Sequence, residues 1–179
     1  MRALILADID ELHWYHGSGH ADLILAVGDT ADSLILEPAD AYGAPRIFAV
    51  KGNHDATTAF PEGITDLHLA RVEFGGLTLG GFHGAWRYKP RGPYLFEQAE
   101  VAALLADFPP VDIFLAHNSP QAVHAKDDGI HAGFTAFDTY IVQSEPRWFI
   151  HGHQHVNRET VIGATNVIGV YGYALLELS

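Results

Sequence analysis

The segment Ile47-Phe48-Ala49-Val50-Lys51-Gly52-Asn53-His54-Asp55 carries the pattern on which the whole chain is built. A short apolar run, as expected of a strand buried on both faces, stops at a glycine and delivers an amide, an imidazole and a carboxylate. The same succession recurs. Ala3 to Ala7 runs into Asp8 and Asp10, Leu23 to Val27 into Gly28-Asp29, Val111 to Ala116 into His117, and Trp148 to Ile150 into His151-Gly152-His153-Gln154-His155. Further strand signals cover Leu77 to Phe82 and, with a break, Asn166 to Leu178. Beyond the carboxyl ends of strands is where open α/β sheets place their ligands.

Helical patterns separate some of these runs. Phe96 to Phe108 has apolar residues at Val101, Leu104, Leu105 and Phe108, with Glu97 and Glu100 near its start, where the helix dipole favours them. Thr135 to Ser144 is a second, weaker pattern. Strand alternating with helix in the first half predicts a layered α/β fold with parallel pairing. The second half is richer in strands. Arg71 to Phe82 reads as a hairpin turning at Gly75-Gly76, and Val156 to Leu178 as an antiparallel meander broken at Gly163, Gly169 and Gly172. No repeat or linker interrupts the pattern, and 179 residues at 48% hydrophobic content can fill one core, so residues 1–179 are expected to form a single domain.

Composition narrows the chemistry. Without cysteine, a bound metal must rely on imidazole, carboxylate, amide or water ligands. A formal net charge of -12 disfavours stable, sequence-independent nucleic-acid binding, which runs on Lys and Arg. The opening apolar run meets Asp8 and Asp10 too soon for a signal peptide, and no apolar stretch is long enough to span a bilayer, so the expectation is a cytoplasmic protein with no membrane partner. Oligomeric state is not legible.

Residues two apart on an extended segment share a face, so Asp8 with Asp10, and His153 with His155, can each present two donors to one site. A mixture of carboxylate, amide oxygen and imidazole suits Mn²⁺, Fe or Zn²⁺ better than Mg²⁺ or Ca²⁺.

Asp8-x-Asp10, Gly28-Asp29, Gly52-Asn53-His54-Asp55, His117 and Gly152-His153-x-His155 together resemble the ordered motifs of the calcineurin-like metallophosphoesterase superfamily. The resemblance spans residues 8–155. It implies a four-layer α/β/β/α sandwich, with two mixed sheets face to face and helices outside. It also implies a site for two divalent ions. Asp29 would bridge them, Asp8, Asp10 and His155 would complete one site, and Asn53, His117 and His153 the other. His54 would face the phosphate and aid the leaving group, supported by Asp55. The family motif usually reads Asp-x-His, and Asp10 stands at the His position; a carboxylate there adds charge and favours Mn²⁺ over Zn²⁺. The implied activity is hydrolysis of a phosphoester by a hydroxide activated between two metals.

The chain length, the loop from His83 to Tyr94 and Asn118-Ser119-Pro120 resemble bacterial phosphoesterases related to the cyclic-nucleotide class, which points to a small phosphodiester substrate. A phosphomonoesterase or phosphoprotein phosphatase is the alternative within the enzyme class. A scaffold that keeps the fold without catalysis is the alternative outside it. Among the remaining histidines, His151 reads as structural, His13, His16 and His20 as a solvated helix face with a chance of lining the mouth, and His83, Trp86, Arg87, Arg91 and Tyr94 as packing or substrate rim. His124 and His131 fall in a long loop and receive no role.

Overall fold

The computed structural model describes residues 1–9 and 17–178. Its elements in chain order are β1 (Arg2–Ala7), β2 (Leu23–Val27), α1 (Asp32–Tyr42), β3 (Ile47–Val50), β4 (Ile64–Asp66), β5 (Arg71–Phe74) and β6 (Leu77–Phe82). There follow β7 (Ala85–Trp86), β8 (Leu95–Phe96), α2 (Gln98–Leu105), β9 (Ile113–Ala116) and α3 (Thr135–Ser144). The chain closes with β10 (Trp148–His151), β11 (Arg158–Ile162), β12 (Thr165–Gly169) and β13 (Gly172–Glu177).

Period-two alternation sorts these strands into layers. In β1, Ala3, Ile5 and Ala7 face a central core while Leu4 and Leu6 face an outer one. The central core joins Leu25, Val27, Phe48 and Val50 of one sheet to Leu79, Ile113, Leu115 and Ile150 of the other. Outside the first sheet, Ile35 and Tyr42 of α1 cover Leu4, Leu6, Ile24 and Ile47. Outside the second, Val101 and Leu105 of α2 and Phe137, Tyr140 and Ile141 of α3 cover Phe82, Phe114 and Phe149. Three cores separate four layers, which is the α/β/β/α sandwich expected above.

Both sheets are mixed. The first runs β13-β1-β2-β3-β4 and is antiparallel at β13. The second runs β11-β12-β10-β9-β6-β5, with antiparallel pairs at its two edges. Parallel pairing of β1, β2 and β3, and of β9 and β10, puts their carboxyl ends side by side. Gly152 N–H, donating to His117 O, continues the β9–β10 pairing, and the two sets meet where His153 N–H donates to Asp8 Oδ2.

The segments read as strands above correspond to strands, with small shifts, and the hairpin over β5 and β6 forms. The meander does not. β11 and β12 form a hairpin, but after Val170 the chain crosses to the other sheet, where β13 pairs with β1. Gly169 and Gly172 mark that crossing, and Ala174 and Leu176 join the central core from the first sheet's edge. Helix α2 begins at Gln98 because Glu97 and Glu100 form a reciprocal capping box, and it ends at Leu105, short of Phe108. Helix α1 had no clear signal: the run Leu34-Ile35-Leu36 and an internal Pro38 obscure its period, although Gly43, with φ of 63°, closes it in left-handed conformation.

Near β6, His83 is buried and structural, not part of a rim. Its Nδ1 accepts from Lys51 N–H at 2.9 Å, its backbone N–H donates to His68 Nδ1 at 3.0 Å, and the two rings stack at 4.2 Å. Burial, together with the facing His83 ring, lowers the His68 pKa to about 4. Because this is below the unfolded value near 6.5, the unfolded chain binds the extra proton between these pH values. Stability from neutral His68 is therefore present above pH 6.5 and is lost as pH falls towards 4. His68→Gln should flatten the acid limb of a Tm-versus-pH curve in that window.

Candidate metal centre and active site

Four site residues adopt backbone conformations that side chains usually avoid. Asp8, Asp29, His153 and His155 have φ of 53°, 49°, 61° and 49°. Left-handed non-glycine residues of this kind cost on the order of 1 kcal/mol or more and cluster at functional sites. Their loops are interlocked. Asp8 N–H donates to Gly28 O and Ile9 N–H to Asp29 O, which ties the ends of β1 and β2 together. A Cβ on Gly28 would lie 2.5 Å from Gly52 N and 2.6 Å from His117 Nδ1, and one on Gly52 would collide with Asp29 Oδ1. Both glycines are needed for this close approach.

Donor atoms of Asp29, His117 and His153 all lie within 4.8 Å of one another. His117 Nε2 stands 3.2 Å from Asp29 Oδ2 and 3.2 Å from Asn53 Oδ1. His155 Nε2 is 3.6 Å from Asp8 Oδ1. Asp8, Asp29, Asn53, His54, His153 and His155 line one pocket with Tyr88, Ile130 and His131.

This donor set fits divalent metal. The Nδ1–H of His117 donates to Val27 O at 2.9 Å, which turns Nε2 towards Asp29 and Asn53, the arrangement that outer partners impose on metal-binding imidazoles. His153 hydrogen-bonds the Ile130 backbone, and its Nε2 is buried without a partner among the described residues. Asp8 Oδ1 is also buried without a hydrogen-bond donor among the described residues. Such orphaned atoms are costly unless something satisfies them, and bound cations would do so. The crowding of donors also shows electrostatically. Burial disfavours a charged His117, but the Asp29 carboxylate overrides it and raises the imidazole pKa, while Asp29 is held low in turn. His153 is shifted the other way, lowered by burial and by the His117 charge.

His54 is exposed at the mouth, with its backbone N–H donating to Asp29 Oδ1 at 2.8 Å. Asp55, expected to support His54, does so through the loop backbone. Its carboxylate accepts the N–H groups of Asp29, Thr30 and Gly52 at 2.9, 3.2 and 2.7 Å, so it clamps the two loops and supports His54 only through the backbone. Turn geometry is the reason, since three backbone donors left unsatisfied by the strand ends converge on it.

Asp10, with His13 and His16, lies outside the described residues. His20 sits at the surface against Asp22 at 3.3 Å. His151 is fully buried in a chain of hydrogen bonds from Thr160 through His124 to its Nε2, and its Nδ1 donates to Gly152 O. Burial lowers its pKa to about 3, as a structural imidazole requires. Sequence reasoning missed Tyr88, Ile130 and His131 in the pocket lining. The one available signal was Asp128-Gly129-Ile130-His131, a spacing that lets an Asp side chain close a turn.

Strand ends, strained donors and orphaned ligand atoms define a metal-binding protein of the α/β/β/α class. A family model for calcineurin-like phosphoesterases matches residues 5–157, and the chain belongs to that family. It is accordingly a metal-dependent phosphoric ester hydrolase. No curated protein matches the chain. Solved structures share its fold at low identity. TT1561 of Thermus thermophilus is 16% identical with a TM-score of 0.58, covering 93% of this chain and 88% of that one. Phosphopantetheinyl hydrolase from Mycobacterium tuberculosis is 12% identical with a TM-score of 0.56, covering 94% and 88%. Wild-type Vps29 complexed with Zn²⁺ from Entamoeba histolytica is 14% identical with a TM-score of 0.51, covering 99% and 86%. Among the described residues no helix is long and apolar enough to cross a membrane.

Proposed function

We propose that the protein is a phosphodiesterase for a small phosphodiester, cyclic nucleotides included, working with two divalent ions of which Mn²⁺ fits best. The observation that carries this reading is the convergence of Asp8, Asp29, Asn53, His117, His153 and His155 around buried, unpartnered donor atoms. Asp29, Asn53, His117 and His153 would hold one ion; Asp8, Asp10, His155 and the shared Asp29 would hold the other. Hard oxygen donors mixed with imidazole, and no sulfur, favour Mn²⁺. The chemistry such ions supply is Lewis acidity towards phosphate oxygens and acidification of water.

The protein's own groups do the rest. His54, held by its backbone to Asp29 and exposed at the mouth, offers a ring N–H to the phosphate or a proton to the departing alkoxide. Asp55 keeps the loops of Asp29 and His54 in register. The described pocket residues include no Lys or Arg, a lining that suits the single charge of a diester better than the dianion of a monoester. Tyr88 and Ile130 add an apolar wall for the esterified group. A cytoplasmic location, a single domain over residues 1–179 and no stable nucleic-acid or membrane partner belong to the same proposal.

A panel of aryl monoester, aryl diester and 2′,3′- and 3′,5′-cyclic nucleotides, assayed with Mn²⁺, tests it. We expect kcat/KM for the best diester to exceed that for the monoester by about tenfold or more, a discrimination of roughly 1.4 kcal/mol. Faster monoester cleavage would transfer the assignment to a phosphomonoesterase.

A further inference from the structure

The loop between Asp128 and Phe134 is attached to the metal centre at several points. Gln154, between His153 and His155, donates its side-chain amide to His131 O at 2.9 Å. Asn118, next to His117, donates to Ala132 O at 2.8 Å, and Phe134 N–H donates to Ser119 O at 3.0 Å. Within the loop, Asp128 Oδ1 accepts the N–H groups of Ile130 and His131 at 3.0 and 2.8 Å. Its other oxygen, Oδ2, takes the Nδ1–H of His131. The loop is thus built to hold one side chain. The His131 ring lies 5.0 Å from that of His153 and 5.9 Å from that of His155, its side chain is 20% exposed, and it lines the pocket. With Nδ1 committed to Asp128, Nε2 is the ring nitrogen left to the pocket.

Resting on the reading of this pocket as a phosphoester site, we propose that His131, oriented by Asp128, is a second imidazole that hydrogen-bonds a phosphoryl oxygen through Nε2, on the His153 side of the pocket, while His54 acts from the Asn53 side. The carboxylate behind the ring is what makes the arrangement suited to an anion. Asp128 takes the Nδ1–H and fixes the ring plane, so that Nε2 is presented to the pocket.

The test compares wild type with His131→Ala, His131→Gln and Asp128→Asn by inhibition with inorganic phosphate, metal content and Tm. Any phosphoester that turns over serves as reporter, so failure of the diester assignment leaves the test intact. A hydrogen bond to a charged group leads us to expect a phosphate Ki about 10- to 100-fold weaker in His131→Ala. Metal content should be unchanged, and much of the loss should be restored in His131→Gln, whose amide N–H can replace Nε2–H. Asp128→Asn keeps an oxygen for the two backbone donors but loses the acceptor for Nδ1–H, and should give an intermediate Ki. Unchanged Ki in His131→Ala would overturn the proposal, and so would parallel loss of metal, which would move His131 into the metal shell. If substitutions at His131 unfold the protein, Asp128→Asn decides, and wild-type Ki in that variant overturns the proposal.

Discussion

In Asp29→Ala, turnover falls to background and the metal-free protein loses about 3–5 kcal/mol of stability, the usual result of removing one partner from a buried ion pair. Asp29 and His117 are 5% and 0% exposed at the side chain, and their atoms approach to 3.2 Å, so little solvent is available to soften the loss. The remaining imidazole would be left facing the Asn53 oxygen without its nearest opposing charge. At about 2–4 °C per kcal/mol for a chain of this size, Tm should drop by roughly 10 °C. Elemental analysis should show both ions lost, since Asp29 is the proposed shared ligand. Retention of one ion per chain would remove Asp29 from the bridging position. Chelation of wild type should reproduce the catalytic loss without the loss of metal-free stability, and added Mn²⁺ should reverse it.

His54→Ala separates chemistry from metal binding. His54 contacts the centre through its backbone N–H, which alanine retains, so the Asp29 orientation and the metal content should survive. Turnover should fall by about 10² to 10⁴, the usual contribution of a positioned acid or base. The loss should be largest for poor leaving groups, which need the proton most. A leaving-group series on the variant checks this, read as log kcat against leaving-group pKa. A flat offset across the series would mean that His54 orients phosphate without donating a proton, and loss of metal would make it a ligand.

Much of the architecture was legible because burial on both faces leaves a simple mark. Continuous apolar runs such as Leu23 to Val27 can only be interior strands in a chain this short, and a polar residue directly after each one has to emerge at a sheet end. That is why Asp8, Asp29, Asn53, His117 and His153 could be named from the sequence and why they meet in space. Elements whose stability comes from neighbours were harder to read. Helix α1 exists because Ile35 and Tyr42 find the outer face of the first sheet, a contact that outweighs Pro38. The crossing of β13 to the other sheet depends on the open edge of β1, which no local pattern records.

What the sequence determined by itself, then, is the donor chemistry and its order along the chain, because residue type and strand-end position are local properties. The rest was decided in three dimensions. How Asp55 supports His54 was decided by the folded loops, which bring three backbone N–H groups together on its carboxylate. Of the two readings open for His83, packing holds, because it pairs with His68 and Lys51 from segments distant in sequence. His131 entered the pocket because a turn closed by Asp128 is anchored beside His117 and His153. Tautomer and orientation, which decide whether an imidazole is a ligand, a donor or a packing group, are set by the second ring nitrogen's partner, and that partner is a tertiary contact.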